Sequence, residues 1–291
     1  MAHFNLGWQS KLVLLLVLPW TAVSVVVQTQ AWWNHAPASA IGVLGLSVLL
    51  GLLAWMLRTA TPPAALTGAV ITASLMFSTL EHTAIIPVLI LLVLTSLATR
   101  FGRRHKERLG TAEKHHGRSA AQVAANLGIA ALAMEPALVS RLIETPWFAM
   151  SSSIPLFTVG LAALAESAAD TVSSEIGQVL GGQPRMITTL RRVDAGTDGG
   201  ITFAGTAAGV IAAGIVAASG CLAFHGGLSA LATSWAAGVF GLFFDSLLGA
   251  TLERAGWLNN DGVNFLSTAS AAGCALAMLA VAPNGSFQLL K

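Results

Sequence analysis

The sequence predicts an all-α fold, a polytopic transmembrane helix bundle of about nine spans. Of the 291 residues, 55% are apolar and only 10% are Asp, Glu, Lys or Arg, against roughly 25% charged residues in soluble domains. The mean hydropathy is +0.73. The apolar residues also form runs as long as a bilayer crossing requires, roughly 17 to 25 residues. A soluble chain this poor in charge would lack the polar surface needed to face water.

Nine apolar runs meet this length requirement. They lie at about 12–29, 39–57, 64–80, 83–99, 120–142, 147–176, 201–223, 228–252 and 263–282. We interpret the first run as a retained helix rather than a signal peptide, because no clear small-residue cleavage site follows it. It ends instead in Trp32 and Trp33, which are typical of the membrane interface.

The runs divide the chain into three parts. The first four are strongly apolar, whereas the later ones are richer in Ala, Gly, Ser and Thr, which let helices approach closely. Gly205 and Gly209, four residues apart, are an example. We therefore expect a four-helix membrane scaffold in 1–99, a basic cytoplasmic loop in 100–118 and a five-helix membrane region with the active site in 119–291.

The orientation follows from the distribution of Lys and Arg. Residues 100–118 hold seven of them against two Glu, which predicts a cytoplasmic loop. With nine spans, the N-terminus, the turn at Arg58 and the loops 177–200 and 253–262 lie on the same side. The basic loop would also attract anionic headgroups. No aromatic interleaving accompanies it, so we expect no nucleic acid partner.

Two apolar runs carry polar side chains at helical spacing. Gln122 and Asn126 share one helix face, and interhelical hydrogen bonding is the alternative to a functional role. Glu166, Asp170 and Glu175 follow in the next run. Carboxylates in a membrane helix are costly unless they are paired, protonated or bound to a metal. Ion pairing with a neighbouring Arg is the alternative there.

A glycine-rich turn opens directly into an apolar run. The run Gly-Thr-Asp-Gly-Gly at 196–200 follows three arginines, Arg185, Arg191 and Arg192. Glycines allow successive N–H groups to point at an anion, and the following helix N-terminus adds partial positive charge. Guanidinium groups suit phosphate oxygens. An ordinary glycine turn with a helix cap remains the alternative.

The last polar segment adds further acids. Asp245 lies about two helical turns before Glu253, inside the apolar run. Asp261 has a simpler explanation as a cap of the last helix, with Asn264 nearby. All four polar segments reach the predicted cytoplasmic side, where carboxylates, arginines and a glycine turn would form a Mg²⁺–phosphate site. The chain has no Walker A loop and no protein-kinase signature.

These segments resemble the membrane family that includes the plant phytyl-phosphate kinase. The matching segments are 122–126, 170–177, 184–200, 245–250 and 259–268, in the expected order. Three positions depart from the family pattern. Asp198 stands where Asn is expected, Arg191 where Lys is expected, and Val172 where Trp is expected.

The resemblance implies a CTP- or other NTP-dependent kinase that converts an isoprenyl monophosphate to the diphosphate, with membrane lipids as its surroundings. Another prenyl-phosphate transferase, such as a cytidylyltransferase, and a membrane transporter are the alternatives. We expect catalytic roles for Asp170, Asp245 and Asp198 and Mg²⁺ ligands in Asp170, Glu175, Asp245 and Asp261. The expected nucleotide- and phosphate-binding residues are Gly196, Thr197, Gly199, Gly200, Arg185, Arg191, Arg192, Gln122, Asn126, Asn260 and Asn264.

Overall fold

The computed structural model describes residues 7–79, 82–112, 117–135 and 155–281. These residues form ten α-helices and one two-stranded antiparallel sheet. The helices are α1 Gly7–Trp33, α2 Pro37–Met56, α3 Pro62–Thr79, α4 Ile85–Arg100, α5 Arg103–Leu109, α6 Ala120–Met134, α7 Leu156–Leu180, α8 Phe203–Ala223, α9 Leu228–Leu248 and α10 Asn260–Val281. A 3₁₀ turn spans His82–Ala84, a π-helical segment spans Gly249–Glu253, and the strands are β1 Arg185–Met186 and β2 Gly200–Ile201.

The predicted polytopic all-α fold is confirmed. Each predicted run overlaps one long helix, and α5 is an additional short helix inside the basic loop. Among the residues that the structure describes, six helices are long and apolar enough to cross a membrane: α1, α2, α4 with its preceding turn, α8, α9 with the π-helical segment, and α10. The predicted parts 136–142 and 147–154 of two runs lie outside the described residues.

Several helices begin where the sequence supplies a cap. Ser119 and Gln122 form a reciprocal capping box at the start of α6. The Thr202 hydroxyl accepts a hydrogen bond from the Gly205 amide at the start of α8, at 3.1 Å. Asn259, rather than Asp261, caps α10, since its Oδ1 accepts from the Gly262 amide at 2.9 Å. These caps fix where the functional loops end.

Helix α7 lies at the centre of the bundle, with its residues from Thr158 to Ala169 buried. Glycines let neighbouring helices approach it. A Cβ at Gly205 of α8 would lie 2.5 Å from the Ser173 carbonyl oxygen, and one at Gly209 would lie 2.7 Å from the Ala169 carbonyl oxygen. Only glycine permits this spacing, so the predicted close approach at these two residues is confirmed.

The segments predicted to share one side meet at one end of the bundle, which we call the basic end (residues 57–61, 100–112, 117–119, 181–202 and 249–259). The Thr61 amide donates to the Arg118 carbonyl at 3.0 Å. Ser10 of α1 donates to Asp261 at 2.5 Å. At the opposite end, Trp32 packs against His82. The loops therefore segregate as the charge distribution predicted.

Candidate functional site

Three carboxylates meet between α7, α9 and α10, and we call Glu166, Asp170 and Asp245 the acid cluster. Glu166 and Asp170 lie one turn apart on α7. The Asp170 and Asp245 side chains interact with each other. Ser267 of α10 interacts with both Glu166 and Asp245. Asp170 and Asp245, two of the predicted catalytic and metal-binding residues, are therefore neighbours.

Close helix packing buries Glu166 of the acid cluster, whereas Asp170 and Asp245 are half-buried. Glu166 is 1% exposed, and a Cβ at Gly241 of α9 would lie 2.5 Å from its Cγ. Within the described residues, Oε1 of Glu166 and Oδ2 of Asp245 are buried without a hydrogen-bond partner. Buried polar atoms are nearly always satisfied in native proteins, so these two oxygens indicate a site for an ion or ligand.

The glycine turn packs directly on the end of α9. Gly199 has a φ of +73°, and a Cβ there would overlap Ala250. A Cβ at Gly249 would likewise lie 2.9 Å from the Gly199 amide nitrogen. This contact occurs at the π-helical segment Gly249–Glu253, a feature that is frequent at functional sites. The structure thus joins two segments that are about 50 residues apart in sequence.

Two further carboxylates extend the acid cluster toward the basic end. Glu253 interacts electrostatically with both Asp170 and Asp198. Partial burial raises the pKa of the Asp198 carboxyl, and the nearby Arg254 guanidinium opposes that rise. A succession of acids therefore leads from the helix interior to the glycine turn, where Asp198 is exposed.

The predicted phosphate-binding arginines line a short hairpin beside the glycine turn. β1 pairs with β2 through Arg185 and Ile201, and the Arg185 guanidinium donates to the Leu190 carbonyl at 2.9 Å. Arg191 and Arg192 follow on the same hairpin, and all three arginines are exposed. Gly196, Thr197 and Gly200 belong to the adjoining turn, where the Gly200 amide donates to the Thr197 carbonyl at 2.9 Å.

Arg118 is a basic residue at the site that the sequence analysis did not assign. Its guanidinium donates to the Thr95 hydroxyl at 3.4 Å and interacts electrostatically with Asp170. Arg254 occupies the corresponding position beside Asp198. Two cations therefore flank the succession of acids, one on the α4 side and one on the α9 side.

Glu175 has a partner other than the expected metal ion or arginine. Its Oε2 accepts from the Lys106 ammonium of α5 at 2.5 Å. Lys106 is 1% exposed, and it also donates to the Ala98 and Thr99 carbonyls at 3.1 and 2.7 Å. The structure therefore gives Glu175 an ion pair that anchors α5 to α7, and the Glu175 carboxylate also interacts electrostatically with Asp170.

The residues around the start of α10 contact α1. Asp261 accepts from Ser10, and the Asn259 side chain donates to the Ser10 hydroxyl at 3.0 Å. Asn260 is exposed, whereas Asn264 is 8% exposed and lies one turn before Thr268. Asp261 is thus directed at α1.

On α6 the two predicted polar residues have different surroundings. Gln122 completes the helix cap, its Oε1 accepting from the Ser119 amide at 2.7 Å. Asn126 is 8% exposed and faces a cavity among α2, α3, α4 and α6. The neighbouring Ala125 carbonyl accepts from the Thr268 hydroxyl of α10 at 3.2 Å. Of this pair, Asn126 remains the candidate for a ligand contact.

The four predicted metal ligands differ in their partners. Asp170 and Asp245 interact with each other, whereas Glu175 pairs with Lys106 and Asp261 accepts from Ser10. Among the residues that the structure describes, no three His, Cys, Asp or Glu side chains form a group that could hold a metal ion. Asp170 and Asp245 do fit Mg²⁺, which commonly uses one or two carboxylates together with water and substrate phosphates. The unpartnered Oδ2 of Asp245 is the oxygen that would accept such an ion.

Four residues at the site had no predicted role: Arg118, Glu253, Arg254 and Ser267. All four lie in or beside the polar segments identified in the sequence. Their polarity inside or next to apolar runs was the available signal. Their partners depend on which helices pack against each other, and the order of helices along the sequence does not show this packing.

Comparisons with known proteins agree with this architecture. The model of the family described as integral membrane protein DUF92 matches residues 45–272. An uncharacterized membrane protein of Methanocaldococcus jannaschii is 43% identical, over 37% of this chain and 45% of that protein. One from Synechocystis is 32% identical, over 64% and 70%. Protein VTE6, chloroplastic, of Arabidopsis thaliana is 31% identical, over 60% and 52%.

The matched region spans about half the length of the archaeal and chloroplast relatives. No solved structure matches the chain. The family match covers α3 through most of α10, and it includes the acid cluster, the glycine turn and the π-helical segment. The chain belongs to the DUF92 family of integral membrane proteins.

Proposed function

We propose that this chain is a CTP- or other NTP-dependent kinase that phosphorylates an isoprenyl monophosphate, such as phytyl or geranylgeranyl phosphate, to the diphosphate. The observation that carries the proposal is the interaction between Asp170 and Asp245, two half-buried carboxylates beside a glycine turn. Both lie in a membrane bundle, with arginines close by. The resemblance to the plant phytyl-phosphate kinase family and the similarity to protein VTE6 support it.

The proposed reaction needs little acid–base chemistry from the protein. An oxygen of the prenyl monophosphate forms a bond to the terminal phosphorus of the nucleotide. The bond from that phosphorus to the bridging oxygen breaks, and the nucleoside diphosphate leaves. The second pKa of a phosphate monoester is about 6, so the acceptor phosphate is already anionic at neutral pH.

Catalysis would then depend on positioning and charge neutralisation. Asp170 and Asp245 would hold Mg²⁺, which neutralises phosphate charge when bound. Arg118 and Arg254, which flank the acids, would hold phosphate oxygens. The exposed arginines of the hairpin and the Gly199 turn would bind the nucleotide as it arrives from solvent. The excess of Lys and Arg in the loops of this end favours the cytoplasm as that solvent.

A label-transfer assay tests the proposal. Purified protein in nanodiscs with Mg²⁺ receives CTP or ATP labelled at the γ or the α phosphate, together with a panel of prenyl monophosphates. The kinase predicts a prenyl diphosphate that carries the γ label and never the α label. Transfer of the α label would identify a cytidylyltransferase. Absence of transfer and of nucleotide binding would overturn the kinase proposal and favour transport.

A further inference from the structure

A cavity lies among the N-terminal helices, separate from the acid cluster. It has a volume of about 280 Å³ and is walled by α2, α3, α4 and α6. Its lining on α4 extends from Arg100 to Val88, a distance of about 18 Å at 1.5 Å per residue. The cavity thus extends from the basic end into the depth of the bundle.

The two ends of this cavity differ in chemistry. Its inner wall is mainly apolar and includes Leu50, Val88 and Leu91, with the Thr72 hydroxyl of α3 as a polar member. Its mouth carries four arginines and nearby hydroxyl groups. The lining residues at the mouth are Arg58, Arg100, Arg103, Arg118, Ser96 and Thr99. A site that is apolar within and cationic at its opening complements an amphiphile with one anionic head.

Unsatisfied hydroxyl groups point to the same occupant. Within the described residues, the hydroxyls of Ser96 and Thr99 are buried without a hydrogen-bond partner. Ser96 is 7% exposed, and both residues lie within about one turn of Arg100. A buried hydroxyl is normally satisfied, and a phosphate head at the mouth would supply acceptors to both groups.

Arg118 connects the cavity to the acid cluster. It lines the cavity mouth and interacts electrostatically with Asp170. A phosphate held at this guanidinium is therefore adjacent to the proposed site of phosphoryl transfer. Resting on the proposed function, we infer that this cavity binds the prenyl monophosphate, with the phosphate at Arg118 and the apolar tail running toward Val88.

The volume limits how much of the tail the cavity encloses. About 280 Å³ lies just below the usual range of small-molecule pockets, roughly 300–1,000 Å³. The cavity accordingly takes the part of the tail next to the phosphate, and the remainder extends into the bilayer. Three of the four N-terminal helices, α2, α3 and α4, then contribute substrate contacts in addition to their structural role.

A pair of glycine substitutions tests this assignment. Gly68 lines the cavity, and a Cβ there meets only Val123, at an ordinary 3.6 Å. Gly68→Leu therefore projects a side chain into the cavity. Gly45 of α2 is exposed and has nothing within 4 Å of its Cβ position, so Gly45→Leu is the matched control.

The readout is binding of labelled geranylgeranyl monophosphate without nucleotide. Gly68→Leu should raise the dissociation constant at least tenfold, while Gly45→Leu should change it less than twofold. Equal affinities for the two variants would overturn the assignment. Because no turnover is needed, this result is independent of whether the chain proves to be a kinase.

Photo-cross-linking of the unmodified chain keeps the test decisive if Gly68→Leu fails to fold. The probe is a prenyl monophosphate with a diazirine on the first isoprene unit. Label on α2, α3, α4 or α6, competed by unlabelled prenyl monophosphate, is the expected result. Competed label confined to α8, α9 and α10 would place the tail elsewhere and overturn the proposal. Label that is not competed would also overturn it.

Discussion

The ion pair between Lys106 and Glu175 offers a direct test of how the basic loop is attached to the bundle. The Lys106 ammonium has three donors, and they meet three acceptors: Glu175 and the carbonyls of Ala98 and Thr99. The side chains of the pair are 1% and 12% exposed. Lys106→Met would leave the Glu175 carboxylate nearly buried without its counter-charge, which costs about 3–5 kcal/mol.

A double-mutant cycle measures this interaction. Lys106→Met, Glu175→Gln and the double variant are unfolded reversibly in mixed micelles, and the free energies of unfolding are compared. We expect Lys106→Met to lose about 3–5 kcal/mol and the double variant to recover part of that loss. The coupling energy should reach about 0.5–3 kcal/mol, as for residues in direct contact.

A neighbouring exposed pair provides the control. Arg103 and Glu107 form an ion pair at 3.0 Å on the same helix, with side chains 42% and 46% exposed. Glu107→Gln should therefore cost no more than about 1 kcal/mol. A loss of unfolding free energy for Lys106→Met as small as that for Glu107→Gln would show that the buried ion pair does not stabilise the bundle. A double variant that stays folded but loses all phosphoryl transfer would instead restore the metal-ligand prediction for Glu175.

Three further substitutions probe the site. Gly199→Ala places a Cβ against Ala250 at a φ of +73°, so we expect a cost of about 1–3 kcal/mol and weaker nucleotide binding by calorimetry. Gly241→Ala would press on Glu166 and should lower the melting temperature more than Gly273→Ala, where nothing lies within 4 Å. Folding raises the pKa of the Asp198 carboxyl, so the folded state favours its protonated form. The stability that this protonation contributes is lost as pH rises through the folded-state pKa. Asp198→Asn should therefore melt higher than the parent chain at pH 7 but not at pH 4, and the reverse order would contradict this.

Much of the architecture could be predicted from the sequence. The thickness of the bilayer sets the length of the apolar runs, and the distribution of Lys and Arg indicates which loops share one side. The runs that became α1, α2 and α8, for example, are apolar throughout. Their loops segregate because the basic residues of 100–118 mark one side. The number of membrane spans is harder to predict from the sequence. Helix α7 carries Glu166, Asp170 and Glu175, and acids inside a helix lower its mean hydropathy.

The details of the site depend on tertiary packing. The sequence placed Asp170 and Asp245 on the same side of the membrane, and the structure brings their carboxyl groups together. The sequence did not predict the ion pair between Lys106 and Glu175, because α5 is a short helix within a loop. The cavity near Gly68 is a space between helices, and no single run of residues encodes it.

The most direct test of the central claim is γ-phosphate transfer by variants of the acid cluster. Asp170→Asn and Asp245→Asn are compared with Glu135→Gln, since Glu135 is also buried but accepts hydrogen bonds from Ser24 and Ser78, at 2.6 and 2.7 Å. We predict that the unmodified chain and Glu135→Gln convert prenyl monophosphate to labelled diphosphate. Both Asp variants should lose at least roughly 100-fold in rate, which is the loss typical of removing one group that stabilises transition-state charge. Full activity in folded Asp170→Asn and Asp245→Asn would contradict the proposed site.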